Sequence, residues 1–344
     1  MSKLILKTLS PLHIGSGEEF DENYNLLYKD GFVYIFDEFK IVEFLISKNI
    51  QIPNQIEELK KIIVSNKDEL IQKEKYKRKI ESKFSTISKP LFEQISTQNN
   101  PIISGSSIKG AIKTAYFNKL IKDGKFRNEI ENLQKLDDDI YNADFSKKKD
   151  LERNKKRLIG DIDRKFINEL KNESKYLKIS DSFTSIKTKI CKSINIKKEK
   201  SHQSSRTVKV EQISNFIECI SEQQEIFVTI DIDSNSIDFK NLVQVCNDFY
   251  KNEYEKEFSN YFLDKVKFIK VKEVGKNQFL LNIGRFGGAE LKSVEELREL
   301  PRTGADVSWE TSARNYAQEK NIQDKIHFEN SLLPFGWLLC EIVE

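Results

Sequence analysis

Pro101-Ile-Ile-Ser-Gly-Ser-Ser-Ile-Lys-Gly-Ala-Ile-Lys-Thr-Ala115 passes from a polar turn into a helix that continues through Tyr116, Phe117 and Leu120 to Gly124. Ser106 or Ser107 is the natural N-cap, because a short hydroxyl accepts from the free N–H groups of a first turn. Gly105 to Gly110 has the spacing of a phosphate-binding P-loop, but Ala111 stands where that loop requires Lys. A hydrolase nucleophile elbow fails as well, since Lys109 replaces the second glycine. What is left is a glycine turn at a helix N-terminus, where the helix dipole favours an anion, with Lys109 and Lys113 one turn apart. An ordinary capped amphipathic helix has the same spacing.

Lys3 to Leu12 alternates like a strand and runs into a glycine loop at His13, Gly15, Ser16 and Gly17. Asp30-Gly31 between Tyr24–Tyr28 and Gly31–Phe36 predicts a β-hairpin, followed by helical spacing over Phe39–Ile46. Two stretches rich in Lys, Glu and Ile, at about 53–98 and 125–175, read as charged helical inserts. Short strands are expected at Tyr176–Ser180, Arg206–Ile213 and Phe216–Ile232. A helix over Phe239–Leu263, a strand at Gln278–Ile283, a second glycine loop at Gly284-Arg-Phe-Gly-Gly288 and a last strand after Pro334 complete the pattern. The order suits an α+β fold, with a module boundary at the polar hinge Ser201–Ser205.

At 344 residues, with 38% hydrophobic and 32% charged residues, the chain has material for two modules and is not a disordered polymer. A net charge of +3 gives no global cationic field, so any nucleic-acid contact needs local basic runs such as Lys73–Lys83, Lys147–Arg157 and Lys187–Lys200. Each run fits a solvated helix face equally well. The four cysteines are too scattered for a zinc site, and they read as reduced thiols of a soluble, cytoplasmic protein. No apolar run is long enough to span a bilayer. His13, His202 and His327 lack a visible acid–base partner, and no paired acidic cluster suits a metal. No catalytic residue, metal site or cofactor is therefore assigned.

Three segments together resemble the RAMP superfamily of CRISPR proteins: Ser10-Pro-Leu-His-Ile-Gly-Ser-Gly17, Ile103-Ser-Gly-Ser-Ser-Ile-Lys-Gly-Ala-Ile-Lys113, and Gly284–Gly288 with Pro334-Phe-Gly-Trp337. Within it, the long helix-inserted chain and the Lys178–Ser182 strand end are most similar to the fifth-subunit family of type III-A (Csm) effector complexes. The resemblance implies two ferredoxin-like (RRM-like) modules, 1–205 and 206–344. It further implies a non-catalytic subunit that holds the 3′ end of the guide RNA (crRNA), caps a filament of backbone RAMP subunits and supports crRNA maturation. The small subunit and host nucleases are further candidate partners; a membrane is not. RNA contacts are expected from His13, Gly15, Ser16, Gly17, Gly105, Ser106, Ser107, Lys109, Lys113, Arg206, Arg285, Gly287 and Gly288, because phosphate and 2′-hydroxyl contacts need close backbone approach. The alternative is a RAMP endoribonuclease with His13 as general acid or base.

Overall fold

The computed structural model describes residues 2–174, 177–198, 208–232, 239–258, 270–294, 297, 313–322, 328 and 331–343. The first strands are β1 (Ser2–Thr8), β2 (Gly15–Phe20), β3 (Leu26–Lys29) and β4 (Phe32–Phe36), and helices α1 (Glu38–Ser47), α2 (Ile56–Ser65) and α3 (Lys67–Gln72) follow. Next come β5 (Tyr76–Glu81), β6 (Leu91–Gln94), β7 (Ser96–Thr97) and β8 (Asn100–Pro101), then α4 (Gly105–Lys122), α5 (Arg127–Asn142) and α6 (Phe145–Ser174). The rest is β9 (Leu177–Ile179), β10 (Thr188–Lys198), β11 (Val208–Ile220), β12 (Glu225–Ile232), α7 (Phe239–Lys256), β13 (Gln278–Asn282), β14 (Ala313–Gln318) and β15 (Trp337–Val343).

One antiparallel sheet has the order β13-β15-β1-β12-β9. With α4 between β1 and β9, and α7 between β12 and β15, it follows the β-α-β-β-α-β plan of a ferredoxin-like module, β13 lying outside β15. The alternation in β1 sends Leu4 and Leu6 to one face, where they join Ile108 and Ile112 of α4 and Leu242 and Val245 of α7 in the main core. The Tyr250 hydroxyl donates to the Ala111 carbonyl at 3.0 Å, pinning α7 to α4. A different side of α4 presents Phe117 and Ile121 to α5 and α6, with Phe117 stacked on Phe166 at 3.8 Å. The helical insert expected at 125–175 is thereby anchored to the module.

The second sheet runs β2-β6-β11-β10-β5-β4-β3, with β14 also on β10. It curls: Phe20 of β2 and Leu26 of β3, from its two ends, meet in one cluster with Val33, Ile80, Leu91, Ile190 and Phe216. The Asp30-Gly31 turn has φ of 49° and 79°, as a tight hairpin requires. Successive residues of this hairpin face opposite ways, so Leu27, Tyr34 and Phe36 pack on α1, α2 and α3. The fold is the α+β class expected.

Two expectations are corrected. The stretch 53–98 is helical only in α2 and α3; its second half supplies β5 and β6 to the curled sheet. Arg78 hides the strand signal, because a charged residue occupies an inward, buried position that it can hold only by pairing with Glu93 and Glu218. The basic run Lys187–Lys200 is a strand over its described part, β10 from Thr188 to Lys198, whose Ile190, Ile194 and Ile196 are buried. The boundary expected at 205/206 falls outside the described residues, and both sheets combine strands from either side of it.

Gly105 is fixed by contact. A Cβ there would overlap the Ile179 carbonyl of β9, whereas a Cβ at Gly110 would meet nothing within 4 Å. We expect Gly105→Ala to cost about 1–3 kcal/mol in chemical denaturation. Gly110→Ala should be neutral or stabilising by up to about 1 kcal/mol, the ordinary gain of alanine over glycine inside a helix.

A candidate nucleic-acid cleft between the glycine loops

The segment Ser10–Ile14 joins the two sheets through its backbone. The Leu12 and Ile220 N–H groups donate to each other's carbonyls at 3.1 and 2.7 Å, and Ile95 N–H donates to the Ile14 carbonyl at 2.7 Å. From the other side, Gly336 N–H donates to Pro11 O at 2.9 Å, and the Ser10 hydroxyl accepts the Trp337 N–H at 2.9 Å. Arg285 N–H then donates to His13 O at 2.7 Å. Gly284 has a φ of 78° and no space for a side chain against that same carbonyl, so only glycine lets the two loops close.

Their meeting leaves a cleft of about 480 Å³ beside the first turns of α4. Ile14 and Gly15 form one wall, Ser107, Gly110 and Thr114 of α4 another, and Gly284, Arg285 and Lys292 a third. Among the described residues, no carboxylate lines it. Arg285 is exposed and lies over the rings of Phe92 and Phe286, at 5.5 and 5.3 Å from their centroids. Lys292 turns its ammonium onto the backbone and side-chain oxygens of Asn282, at 3.0 and 2.9 Å. Desolvation by the surrounding protein, and then Arg314, lower its pKa to about 7. Two cations, two hydroxyls and bare glycine backbone suit an anionic, hydroxyl-bearing polymer such as the RNA backbone.

A model of the RAMP superfamily matches residues 5–292 of the chain. The chain belongs to the RAMP superfamily. Over 191 residues it is 33% identical to the "CRISPR system Cms protein Csm5" of Methanocaldococcus jannaschii, a match covering 51% of this chain and 41% of that relative. The chain thus matches less than half of that protein's length. Among solved structures, it is similar to a chain of a "Csm-crRNA-target RNA ternary complex in type III-A CRISPR-Cas system", with TM-score 0.61 and 17% identity over 99% of this chain and 100% of that one. It is also similar to T. onnurineus Csm5, with TM-score 0.57 and 17% identity over 97% and 99% of the two chains. At these identities the structural likeness establishes the RAMP fold.

Of the residues singled out from sequence, this RAMP fold brings Gly15, Ser107 and Arg285 into the cleft. The other described ones stand behind or away from it. Ser16 donates its hydroxyl to Glu93 at 2.8 Å, and Gly17 takes a φ of 97° in open space on β2. Ser104, not Ser106 or Ser107, is the N-cap of α4, accepting the Ser107 N–H at 3.4 Å. The Gly105 N–H is taken by Asp181 at 2.8 Å, so the anion at this helix end is a carboxylate of the protein itself. Ser106 is exposed and hydrogen-bonds Ser104 at 3.2 Å. At 3.6 residues per turn, Lys109 and Lys113 project from another face than Ser107, Gly110 and Thr114, and neither lines the cleft. Gly287 is buried against Asn282, Gly288 lies beside Arg314, and Arg206 lies outside the described residues.

His13 is fully buried. Its Nδ1 is 2.8 Å from the Glu218 carbonyl, which can only accept, so Nδ1 carries the proton and Nε2 keeps a lone pair with no partner. Burial is the main cause that lowers its pKa, opposed by that backbone hydrogen bond and helped by Arg285. The ring sits 6.0 Å from that of Phe286 and directly under Gly15, as a neutral strut between the loops. Its side chain therefore supports the cleft wall instead of facing a ligand. His202 and His327 lie outside the described residues.

Gly110, Thr114 and Lys292 escaped the sequence reading. The first two share a helix face with Ser107 and were accessible from helical spacing; Lys292 carries no such signal. A depressed histidine pKa has a definite sign in stability. The contribution is full above the unfolded value near 6.5 and is lost as pH falls toward the folded one, because the unfolded chain binds the proton first. The denaturation midpoint of His13→Gln should therefore fall less between pH 7 and pH 5 than that of the wild type.

Proposed function

We propose that this chain is the guide-RNA-holding subunit of a type III-A Csm effector complex, capping the backbone filament at the 3′ end of the crRNA and supporting its maturation without cutting RNA itself. The observation that carries this reading is the cleft itself: three glycine-containing segments close around a cation-rich, carboxylate-free space. The name of the M. jannaschii relative and the complex containing the similar chain support it. Backbone RAMP subunits are the proposed neighbours.

A phosphodiester in the cleft would lie against Arg285, with Lys292, Ser107 and Thr114 within the same walls. Gly15 and Gly110 would let the ribose approach the backbone. Cleavage of RNA without a metal needs a proton acceptor at the attacking 2′-hydroxyl. His13 is the residue the ribonuclease alternative relies on, and it is fully buried beneath Gly15 and does not line the cleft, so its acceptor nitrogen is out of contact with a ribose lying there. Among the described residues, no cluster of His, Cys, Asp and Glu is arranged to hold a metal ion. No helix among them is long and apolar enough to cross a membrane.

Each lost phosphate contact flattens the dependence of log affinity on log salt by about 0.7 for single strands. At pH 6, where Lys292 with its pKa of about 7 is protonated, Arg285→Ala with Lys292→Ala should weaken binding of crRNA-repeat RNA at low salt and flatten that slope by about 1.4. Lys109→Ala with Lys113→Ala should change it little. Incubation of the wild type with end-labelled RNA in EDTA should leave the RNA intact; specific cleavage lost in His13→Ala would overturn the reading.

A further inference from the structure

A second and larger space, of about 920 Å³, opens where β5 departs from β10, two strands that share only the Glu81–Lys189 register. Lys77, Arg78, Lys79, Lys83, Lys187 and Lys189 line it, against the carboxylates Glu81, Glu222 and Glu319. Part of that acid is already spent, since Lys189 pairs with both Glu222 and Glu319 and Lys83 reaches Glu319 at 3.2 Å. A positive excess remains along β5 and at the start of β10.

Arg78 lies buried at one wall of this groove. Its side chain is only 7% exposed, and its Nη2 is held at 2.7 Å from Glu93 and 3.0 Å from Glu218. Its Nε and Nη1 are buried without a partner. Buried guanidinium donors left unmade are costly, so Arg78 is held in place by its two carboxylates and its positive charge is neutralised within the protein, leaving the exposed lysines of the groove to meet an anion. Among them, Lys79 stands 4.1 Å above the ring of Phe32, and Asn99 and Asn100 supply amides at the rim. A cationic track with an aromatic face and amides is what single-stranded nucleic acid uses, phosphates on the charges and bases on ring and amides. An acidic peptide would use the charges alone. Glu93 also holds Ser16 of the first glycine loop, so one buried network underlies both the groove and the cleft.

We propose that the groove between β5 and the start of β10 is a second binding site for single-stranded RNA, with the exposed Lys79 and Lys187 as its phosphate contacts. This rests on the reading that the chain holds RNA, and it extends the RNA path beyond the glycine-loop cleft.

The test uses the full chain and a fluorescently labelled single-stranded RNA. Lys79 and Lys187 are exposed, so Lys79→Ala with Lys187→Ala leaves folding intact, as unchanged thermal melting will show. We expect this variant to weaken RNA binding at low salt and to flatten the salt slope by about 1.4. RNA carrying 5-bromouridine should cross-link on irradiation to peptides covering 77–83 or 187–190. If Lys79→Ala with Lys187→Ala binds like wild type while Arg285→Ala with Lys292→Ala is weakened, the groove proposal is overturned and the proposed function stands. If the wild type binds no RNA, both fall. If the groove variant loses only affinity for a poly-glutamate peptide, the site belongs to an acidic protein and the proposal is overturned.

Discussion

The backbone hydrogen bond from Arg285 to the His13 carbonyl, 2.7 Å long, brings together two loops more than 270 residues apart in the chain. It forms only because residue 284 has no side chain and a positive φ. Around it, the same few residues after β1 bond to β11, to the segment after β6, and to the turn before β15. The ferredoxin-like sheet and the curled sheet are therefore joined by main chain here, and the cleft is the gap that this junction leaves. A scaffold held by main-chain bonds on rigid strands can present Arg285 and Ser107 to a polymer without ordering a loop on binding, which lowers the entropic cost of recognition.

Beneath the junction lies a buried set of charges. Arg78 meets Glu93 and Glu218, and Glu218 also accepts from the Thr188 hydroxyl at 2.9 Å and the Gln94 N–H at 3.2 Å. Burial raises the pKa of Glu218, and Arg78 and these hydrogen bonds oppose the rise. Removing one member of such a set costs about 3–5 kcal/mol, because the remaining charge is stranded. Well-packed apolar residues would hold the strands at least as firmly, so the network is better understood through its position between two cationic clefts. It fixes one guanidinium at the wall of the groove and one hydroxyl, Ser16, on β2.

Much of the fold was legible in local pattern. The Asp30-Gly31 hairpin, the helix after the Gly105 turn, and the alternation of β1 and β15 all follow from residue types that act over a few positions. Pairing between distant strands left no such trace, and so the ferredoxin-like sheet closes with strands from both ends of the chain. β5 was hidden because Arg78 breaks the apolar alternation with a charge that is neutralised only in three dimensions. At the candidate site, Arg285 and Gly15 were legible from the glycine loops and Ser107 from the start of the helix, whereas Lys109 and Lys113 looked basic without regard to the face of the helix they occupy. The dipole argument for α4 was physically sound; its anion turned out to be Asp181.

The central claim is that RNA lies in the cleft between the glycine loops. The most direct measurement is the position of an RNA backbone in a cryo-EM map of this chain bound to its guide. Phosphate density is expected beside the Arg285 guanidinium and within van der Waals contact of Gly110. A well-resolved guide that crosses the protein without entering the space between Gly15, Gly110 and Arg285 would contradict it.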